Sequence, residues 1–443
     1  MISTGHILKY LLIAILAFLS LQTGCSKQDS PLKAGRVTID YWDLWTGFEL
    51  EAIRNLVDKF NRSQDEIYVN ALSVSEIERK LLIATAGGDP PDVANLQSSI
   101  IPQFADKGAL EPLDPLLPVI GARKEDYISI YWKLCFYDGV LYGLPLSPAT
   151  VALHWNKAIF REFGIDPNSP PQTLEQLDAI AERIAVKKDA VNYETLGFVP
   201  IWPGWWNYAW VWWFGGQWWD GKDTITANCP ENIAAFEWIR SYAKKYGARS
   251  LQNFTSGFGS FSWSDDSFLS NRLAMVLQGV WLSRFIEKFA PEMEWAAAAF
   301  PSSKGKLKDV SMAECTVLVI PRGAKHKKEA AKFIGFLQRP ENLSYLAMKH
   351  NKFVPLKIAN EMDYSQHHNK EIKLFIRLSQ SKNVHSVPRM PIWQEYAHEI
   401  DNAFQSVWLQ KQTPQKALDE VQRRVEEKWM RYCDLKEKRK ERQ

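Results

Sequence analysis

The sequence predicts an α/β protein built from two domains. The chain has 443 residues, which is too long for one ordinary domain and suits two. Near its beginning, Val37, Ile39 and Tyr41 alternate with polar residues, a pattern typical of a half-buried strand. Residues 49–61 then place their apolar side chains on one face of a helix. Because strands alternate with helices, we expect mostly parallel sheets, whose ligands bind beyond the carboxyl ends of the strands.

The next elements continue this alternation. A second strand is predicted over 67–72, a helix over 77–86 that ends at Gly87, and a short buried strand over 93–96. Farther along the chain we predict helices at 174–184, 231–245, 328–337 and 413–428 and a buried strand at 316–320. The α/β pattern therefore extends through most of the sequence.

The bulk composition excludes several classes of protein. The chain carries 54 Lys and Arg against 51 Asp and Glu, so a strongly basic nucleic-acid-binding surface is not expected. The five cysteines show no CxxC spacing, which argues against a zinc site or a redox motif, and we predict no metal and no cofactor. The basic residues of 436–442 are interpreted as part of a solvated, frayed tail over 431–443.

The N-terminus has the features of an export signal. Residues 10–21 form an apolar run behind Lys9 that is shorter than the roughly 20 residues needed to span a bilayer. Cys25 follows in the sequence LQTGC, which resembles a bacterial lipobox in which Gln22 replaces the usual Leu. We predict a signal peptide over 1–24, lipidation of Cys25 and a flexible tether over 25–36. The alternative is ordinary cleavage and release.

The chain contains 19 tryptophans, eight of them within residues 201–221. Tryptophan is a demanding core residue, because it is large and its N–H needs a partner, so we expect some of these rings to bind a flat ligand. Sugars present apolar C–H faces that stack on aromatic rings, and hydroxyls that bond to carboxylates and amides. Tryptophan interleaved with carboxylates therefore predicts a carbohydrate site.

Five segments of the chain form a recognisable series. They are ATAGGDPPDVANL at 84–96, DGVLYGLPLSPATVALHWNKAIFREFGIDPNSPPQTLEQL at 138–177, FLSNRLAMVLQGVW at 268–281, VLVIPRGAKHKKEAAKFIGFL at 317–337 and TPQKALDEVQ at 413–422. In sequence and order the series resembles the family 1 extracellular solute-binding proteins of sugar ABC transporters, to which maltose-binding protein belongs. The chain departs from the family motif at Asn271, where Gly is usual, and at Glu314, which lies where many relatives have Gly-Gly.

The resemblance implies the type II periplasmic-binding-protein fold: two α/β lobes, each a mostly parallel sheet flanked by helices, joined by a hinge. A sugar would bind between the lobes, and the closed form would dock on an ABC-transporter permease. It also suggests a monomer, exported to the periplasm or cell surface. The lobe boundaries that we predict are 37–147 plus 300–352 for the N-lobe and 148–299 plus 353–430 for the C-lobe.

The candidate ligand-binding residues combine both arguments. The resemblance places Trp205 and Trp281 at sugar-stacking positions, and Glu314 is expected to point into the cleft. Asp43 lies just before Trp45, where the first strand opens into the cleft, and is expected to accept sugar hydroxyls. The full set of candidates is Trp281, Trp205, Trp45, Asp43, Trp206, Trp263, Asp265, Asp266, Glu314, Arg389 and Trp393. Trp42, Trp210 and Trp213 are interpreted as core residues.

Three alternatives stay open. Asp265 or Asp266 is equally consistent with a helix N-cap as with a sugar clamp. A glycoside hydrolase would need two carboxylates facing each other across the scissile bond, whereas these two are adjacent and point apart in an extended segment. A binding protein for a polyamine would also use aromatic rings and carboxylates, and one for a phosphate ester would need cations. The pair His367-His368 is interpreted as part of a solvated loop.

Overall fold

The computed structural model describes residues 35–259 and 263–441. The predicted signal peptide, the Cys25 lipidation site and most of the tether lie outside the described residues. Within the described part of the chain, no helix is long and apolar enough to cross a membrane. The four cysteines that the structure describes are not disulfide-bonded.

Strands and helices alternate along the described chain as the sequence predicts. The strands are β1 Val37–Asp43, β2 Ile67–Ser73, β3 Val93–Gln97, β4 Phe136–Tyr137, β5 Val140–Leu141, β6 Leu144–Asn156, β7 Val186–Lys187, β8 Tyr193–Thr195, β9 Met275–Gly279, β10 Trp295–Ala298, β11 Ser311–Val319 and β12 Val384–His385. The α-helices are α1 Gly47–Ser63, α2 Ile77–Ala86, α3 Ile101–Asp106, α4 Leu117–Ile120, α5 Ser129–Lys133, α6 Lys157–Glu162, α7 Leu174–Ile184, α8 Pro230–Tyr242, α9 Ala248–Ser256, α10 Leu282–Phe289, α11 Lys327–Leu337, α12 Pro340–Lys349, α13 Ile372–Ser379, α14 Trp393–Trp408 and α15 Pro414–Glu441. A 3-10 helix covers Asn207–Phe214.

The main sheet has the strand order β10-β6-β11-β3-β1-β2, with β9 also paired to β6 and β12 to β11. The first half of β6 pairs with β11, and its second half, from Val151, pairs with β9 and β10. In this sheet, as far as the described residues show it, β1–β2, β1–β3 and β11–β12 are parallel pairs, whereas the pairs of β6 with β9, β10 and β11, and of β3 with β11, are antiparallel. The prediction of mostly parallel sheets was therefore wrong, because β6 and β11 cross between the two halves of the molecule in opposite directions.

The apolar side chains form two separate cores, which define two lobes. The first core surrounds β1, β2, β3 and the outer part of β11, and the second contains the 3-10 helix, α8 and α14. Strands β6, β11 and β12 pass along the junction of the two cores, and we infer that they form the hinge. The two-lobed α/β fold class is confirmed.

The two cores divide the chain differently from the predicted boundaries, both near residues 300–312 and after residue 353. Residues 353–430 were assigned to the C-lobe, but the apolar side chains from Phe353 to Leu378 pack in the first core, and the second core resumes at Val387. Trp210 and Trp213 are fully buried in the second core, as predicted. Trp42 is half-buried against the first core.

The C-terminal segment also differs from its prediction. Residues 431–443 were interpreted as a frayed tail, but α15 continues to Glu441. Leu418 and Val425 anchor this helix in the second core, and its far end reaches the first lobe. There Tyr432 Oη donates a hydrogen bond to Asp106 at 2.6 Å, and Lys436 Nζ lies 3.0 Å from Asp138. The charges that suggested a solvated tail are partly used in bonds to residues that are far away in sequence.

Candidate functional site

A cavity of about 300 Å³ lies where the two lobes meet. Trp45 and Gln97 line it from the carboxyl ends of β1 and β3, and Trp281 lines it just after β9. Trp205 and Trp206 enter from the loop that precedes the 3-10 helix. The cavity therefore occupies the position at which α/β sheets bind ligands, beyond the carboxyl ends of their strands.

Three of the tryptophans form an aromatic corner. The ring centroids of Trp205 and Trp281 are 6.4 Å apart with an interplanar angle of 34°, and those of Trp206 and Trp281 are 6.2 Å apart at 62°. Trp205 is 43% exposed, whereas Trp206 is buried and supports the other two rings. The exposed faces of such a corner suit a flat apolar ligand surface.

Gly279 explains why the Gly-x-Trp motif positions Trp281. A Cβ atom at residue 279 would lie 2.3 Å from the Trp281 ring, a distance that no real side chain tolerates. Glycine therefore lets the indole fold back over the end of β9. The ring packs against both cores from this position.

Asp43 lies behind Trp45 and does not line the cavity. Its side chain is completely buried and accepts hydrogen bonds from Tyr41 Oη, from the Trp45 backbone N–H at 2.7 Å and from Asn95 Nδ2 at 3.4 Å. Burial raises the pKa of Asp43 to about 6, against the opposing effect of these hydrogen bonds. The expectation that Asp43 accepts sugar hydroxyls is corrected, since the carboxylate instead fixes the backbone that carries Trp45.

A buried ion pair forms one wall of the cavity. Lys352 Nζ lies 3.3 Å from Glu49 Oε1, 3.3 Å from Ser147 Oγ and 4.3 Å from the centroid of the Trp45 ring. The Lys352 side chain is only 4% exposed. Sequence reasoning missed both charged residues: Glu49 looks like an ordinary acid in the first turn of a helix, and its partner follows 303 residues later.

Glu314 faces the cavity from β11, as the departure from the family motif suggested. Tyr208, which the sequence analysis missed, donates a hydrogen bond from Oη to Glu314 Oε1 at 3.2 Å. Burial raises the pKa of Glu314, and the bond from Tyr208 lowers it in part. Within the described residues Glu314 forms no ion pair, so its carboxylate is available to a ligand.

Several buried polar atoms of the cavity lack a partner. Among the residues described, no hydrogen-bond acceptor reaches Trp45 Nε1 or Trp281 Nε1, and Thr316 Oγ1 is likewise unbonded. All three residues line the cavity. Leaving a buried polar group unsatisfied costs about 1–3 kcal/mol, so these atoms indicate a place that a polar ligand completes.

Three predicted ligand-binding residues, Trp263, Asp265 and Asp266, do not line the cavity. Trp263 is 65% exposed and Asp265 is also exposed, while Asp266 is buried. The Asp266 carboxylate accepts hydrogen bonds from the backbone N–H groups of Phe268 and Leu269 at 2.9 and 3.0 Å. Of the two readings left open for these acids, the observed bonds are those of a turn cap rather than a sugar clamp.

Arg389 and Trp393 support the site from outside it. Arg389 donates to the carbonyl oxygens of Ser98 and Phe136 at 2.7 and 2.8 Å, and burial lowers its pKa to about 10. These bonds join the chain after β12 to the first lobe. Trp393 is buried with its ring centroid 5.4 Å from that of Tyr208, so it holds Tyr208 in place rather than facing the ligand.

The interpretation of His367 as part of a solvated loop was wrong. The side chain is 5% exposed, its Nε2 lies 3.0 Å from the Lys352 carbonyl oxygen and its Nδ1 accepts the Asn369 backbone N–H at 3.1 Å. His367 therefore fixes the loop that carries Lys352. Across 35–259 and 263–441, no group of three or more His, Cys, Asp or Glu residues is arranged to hold a metal ion.

The two lobes and the cavity between them define a ligand-capturing binding protein. The chain belongs to the bacterial extracellular solute-binding protein family, whose model matches residues 49–343. This result confirms the family that the sequence motifs indicated. The family consists of extracellular or periplasmic solute-binding proteins of transporters.

Relatives with known names cover most of the chain. The solved structure of CpMnBP1 with mannotriose bound has a TM-score of 0.79 and 26% identity, and the match covers 87% of this chain and 99% of that one. The sn-glycerol-3-phosphate-binding periplasmic protein UgpB of Pectobacterium atrosepticum is 23% identical over 407 residues, 86% of this chain and 88% of that protein. The maltotriose-binding protein of Pyrococcus abyssi is 24% identical over 335 residues, 72% of this chain and 66% of that protein.

Proposed function

We propose that the protein is an extracytoplasmic receptor that captures a carbohydrate, most simply an oligosaccharide, between its lobes and delivers it to the permease of an ABC importer. The observation that carries this proposal is the aromatic corner of Trp205, Trp206 and Trp281 beside polar atoms that lack partners. The rings match the C–H faces of a sugar. The polar atoms match its hydroxyls.

The unpaired atoms also discriminate between ligand classes. The indole N–H groups of Trp45 and Trp281 can only donate, whereas the Glu314 carboxylate can only accept. A hydroxyl group both donates and accepts, so a sugar satisfies both kinds of partner. A protonated polyamine has no acceptor for the indoles, which disfavours that alternative.

A phosphate ester fits the electrostatics less well. Lys352 is the one cation that lines the cavity in the described structure, and Glu49 already pairs with it. Glu314 adds a further negative charge. Although three curated relatives are named for binding sn-glycerol-3-phosphate, another is named for maltotriose and a solved structure is titled for mannotriose, and these two agree with the aromatic cavity.

We further propose that the protein is not an enzyme. Of the two carboxylates that line the cavity, Glu49 is already paired with Lys352, which leaves Glu314 alone where a glycoside hydrolase needs two acting carboxylates. We also propose that lipidated Cys25 anchors the protein on the periplasmic or cell-surface side of a membrane. We propose that the protein is a monomer. Mass spectrometry of the membrane fraction would test the anchor, because a Cys25→Ser variant should lose the diacylglyceryl mass and be released.

The ligand class can be tested by titrating the chain that lacks residues 1–25 with neutral mono- and oligosaccharides, with spermidine and with glycerol 3-phosphate. We expect a neutral saccharide to bind saturably and to be recovered intact. Calorimetry and tryptophan fluorescence measure the binding. Binding of only the amine or the phosphate ester would overturn the carbohydrate proposal. Cleavage of the sugar would overturn the proposal that the protein is not an enzyme.

A matched pair of threonine variants sharpens this test. Thr316→Val removes an unbonded hydroxyl from the cavity wall with little change of shape, and we expect it to weaken saccharide binding by about fivefold. Thr85→Val removes an unbonded buried hydroxyl from α2, outside the cavity, and should leave the affinity unchanged. Equal effects of the two variants would show that Thr316 does not contact the ligand.

A further inference from the structure

The positive charge of the Lys352 ammonium group is already paired within the protein. The ammonium group has three N–H donors. Two of them are directed to Glu49 Oε1 and Ser147 Oγ, each at 3.3 Å, and the ammonium also lies 4.3 Å from the centroid of the Trp45 ring. The Trp281 ring is 5.9 Å away. A buried cation between the two indoles is thus neutralised before any ligand arrives.

Glu49 is the residue that neutralises it. The Glu49 side chain is 16% exposed and lines the cavity next to Trp45. Burial raises the pKa of Glu49, and the ion pair with Lys352 opposes this effect. If Glu49 were uncharged, Lys352 would be an unpaired positive charge of low exposure at the cavity wall, which is the arrangement that recruits an anion.

The formal charges that line the cavity leave it negative. Lys352 contributes one positive charge, and Glu49 and Glu314 contribute two negative charges, for a net charge of −1. An acidic ligand would therefore meet the field of Glu314 and find the one nearby cation engaged. A neutral ligand meets only hydrogen-bonding groups and aromatic faces.

We propose that Glu49 and Lys352 form a specificity-determining pair that makes the cavity select uncharged saccharides and reject acidic ones, such as uronates and sugar phosphates. This inference rests on the proposed carbohydrate function and names the class of sugar. Glu49 sets the selectivity, because it cancels the charge of the only cation that lines the cavity in the described part of the chain. Lys352 contacts both the Glu49 carboxylate and the Trp45 ring and so links the charged part of the cavity wall to its aromatic part.

The test is a gain of binding. Glu49→Gln keeps the shape and one amide oxygen for Lys352 but removes the negative charge. The variant and the wild type are titrated by calorimetry with maltotriose and mannotriose as neutral probes and with glucuronate, trigalacturonate and glucose 6-phosphate as acidic probes. We expect the variant to bind at least one acidic probe at least about tenfold more tightly than the wild type does.

Matched variants make the outcome unambiguous. Glu51→Gln changes an exposed acid on the same helix and should gain no acidic ligand. The double variant Glu49→Gln/Lys352→Gln should lose the gain, because the cation that receives the acidic group is gone. Circular dichroism and melting curves show which variants are folded.

The outcomes separate this inference from the proposed function. If folded Glu49→Gln gains no acidic ligand, or if the double variant keeps the gain, the selectivity role of the pair is overturned. Tight binding of an acidic sugar by the wild type would also overturn it, while leaving the carbohydrate receptor standing. A wild type that binds only non-saccharides would refute the receptor for carbohydrates, whatever the variant does.

Discussion

Two of the contacts between the lobes differ in how their polar groups are satisfied. At the cavity, Trp45 Nε1, Trp281 Nε1 and Thr316 Oγ1 are buried, and no partner for them occurs among the described residues. The second place, which we call the C-terminal junction, comprises Asp106, Tyr137 and Asp138 of the first lobe and Tyr432, Lys436 and Arg439 of α15. Here the side chains bond to one another: Tyr432 Oη lies 2.6 Å from Asp106 and 2.9 Å from Tyr137 Oη.

This difference separates a ligand site from a structural contact. A contact that serves only the protein gains by pairing its donors with its acceptors, and the junction does so. In the described residues the cavity leaves two indole N–H donors and one hydroxyl without partners, at a cost of about 1–3 kcal/mol for each unsatisfied group. A ligand that fits recovers this free energy on binding. We expect substitutions in the cavity to act mainly on affinity, and those in the junction to act weakly on it.

The largest effect is expected at Trp281. Trp281→Ala removes the ring that joins the aromatic corner to both cores, and we expect saccharide affinity to fall by about 100-fold or more, which corresponds to roughly 3 kcal/mol. Calorimetry measures the loss. Trp263→Ala removes a ring that is 65% exposed and outside the cavity, so its affinity should match the wild type. An affinity for Trp281→Ala within threefold of the wild type would contradict the site.

The next effect concerns stability and depends on pH. Burial raises the pKa of Asp43 from 3.8 to about 6, so between these values the folded chain holds a proton that the unfolded chain releases. Stability from this group is therefore greatest below about pH 4 and is lost as pH rises through 6, by roughly 3 kcal/mol in total. In the Asp43→Asn variant residue 43 cannot ionise, so the variant should not lose this stability as the pH rises.

Denaturant unfolding at pH 4.5 and pH 7 measures that difference. The free energy of unfolding of the wild type, relative to the Asn variant, should decrease from the lower to the higher pH. Asp58→Asn is the control, because that side chain is exposed on α1. A wild-type curve parallel to that of Asp43→Asn would show that Asp43 ionises normally in the folded protein.

The sequence predicted the two-lobed fold and four of the aromatic residues that line the cavity, which are Trp45, Trp205, Trp206 and Trp281. Periodicity identified β1 and α1, and the motif order placed Trp205 and Trp281 at one cavity. The same periodicity contained a signal that was not used: Asp43 shares the inward phase of Ile39 and Tyr41, so alternation alone places it in the core. The Asp43 carboxylate is buried because of the same inward-outward alternation that identified the strand.

The charged half of the site could not be predicted in this way. Glu49 and Lys352 are 303 residues apart and meet only because the loop after α12 returns to the first lobe. Neither residue stands in a local pattern that differs from an ordinary surface charge. The C-terminal junction was missed for the same reason, since Lys436 and Asp138 are 298 residues apart. Periodicity predicts which face of a helix or strand is buried, but it does not predict which distant residues pack against that face.

A moderate effect is expected at Gly279. Gly279→Ala places a methyl group where the Trp281 ring lies, 2.3 Å from the Cβ position, and the ring must shift. We expect about tenfold weaker saccharide binding by calorimetry, with a shifted tryptophan emission. Gly257→Ala, at the exposed end of α9 where the nearest atoms are 3.4 Å from the added Cβ, should change neither. An unchanged affinity for Gly279→Ala would show that the ring position is not set by this glycine.

The smallest effect is expected at the C-terminal junction. Tyr432→Phe removes one hydrogen bond to Asp106, worth about 1 kcal/mol, and Lys436→Ala removes a partly exposed ion pair worth about as much or less. Because the junction holds the lobes at the separation that forms the cavity, each change should weaken saccharide binding by no more than about fivefold. Lys438→Ala, an exposed neighbour on the same helix, is the control. A loss as large as that of Trp281→Ala would mean that lobe separation, and not stacking, dominates the affinity, and would erase the distinction between the two contacts.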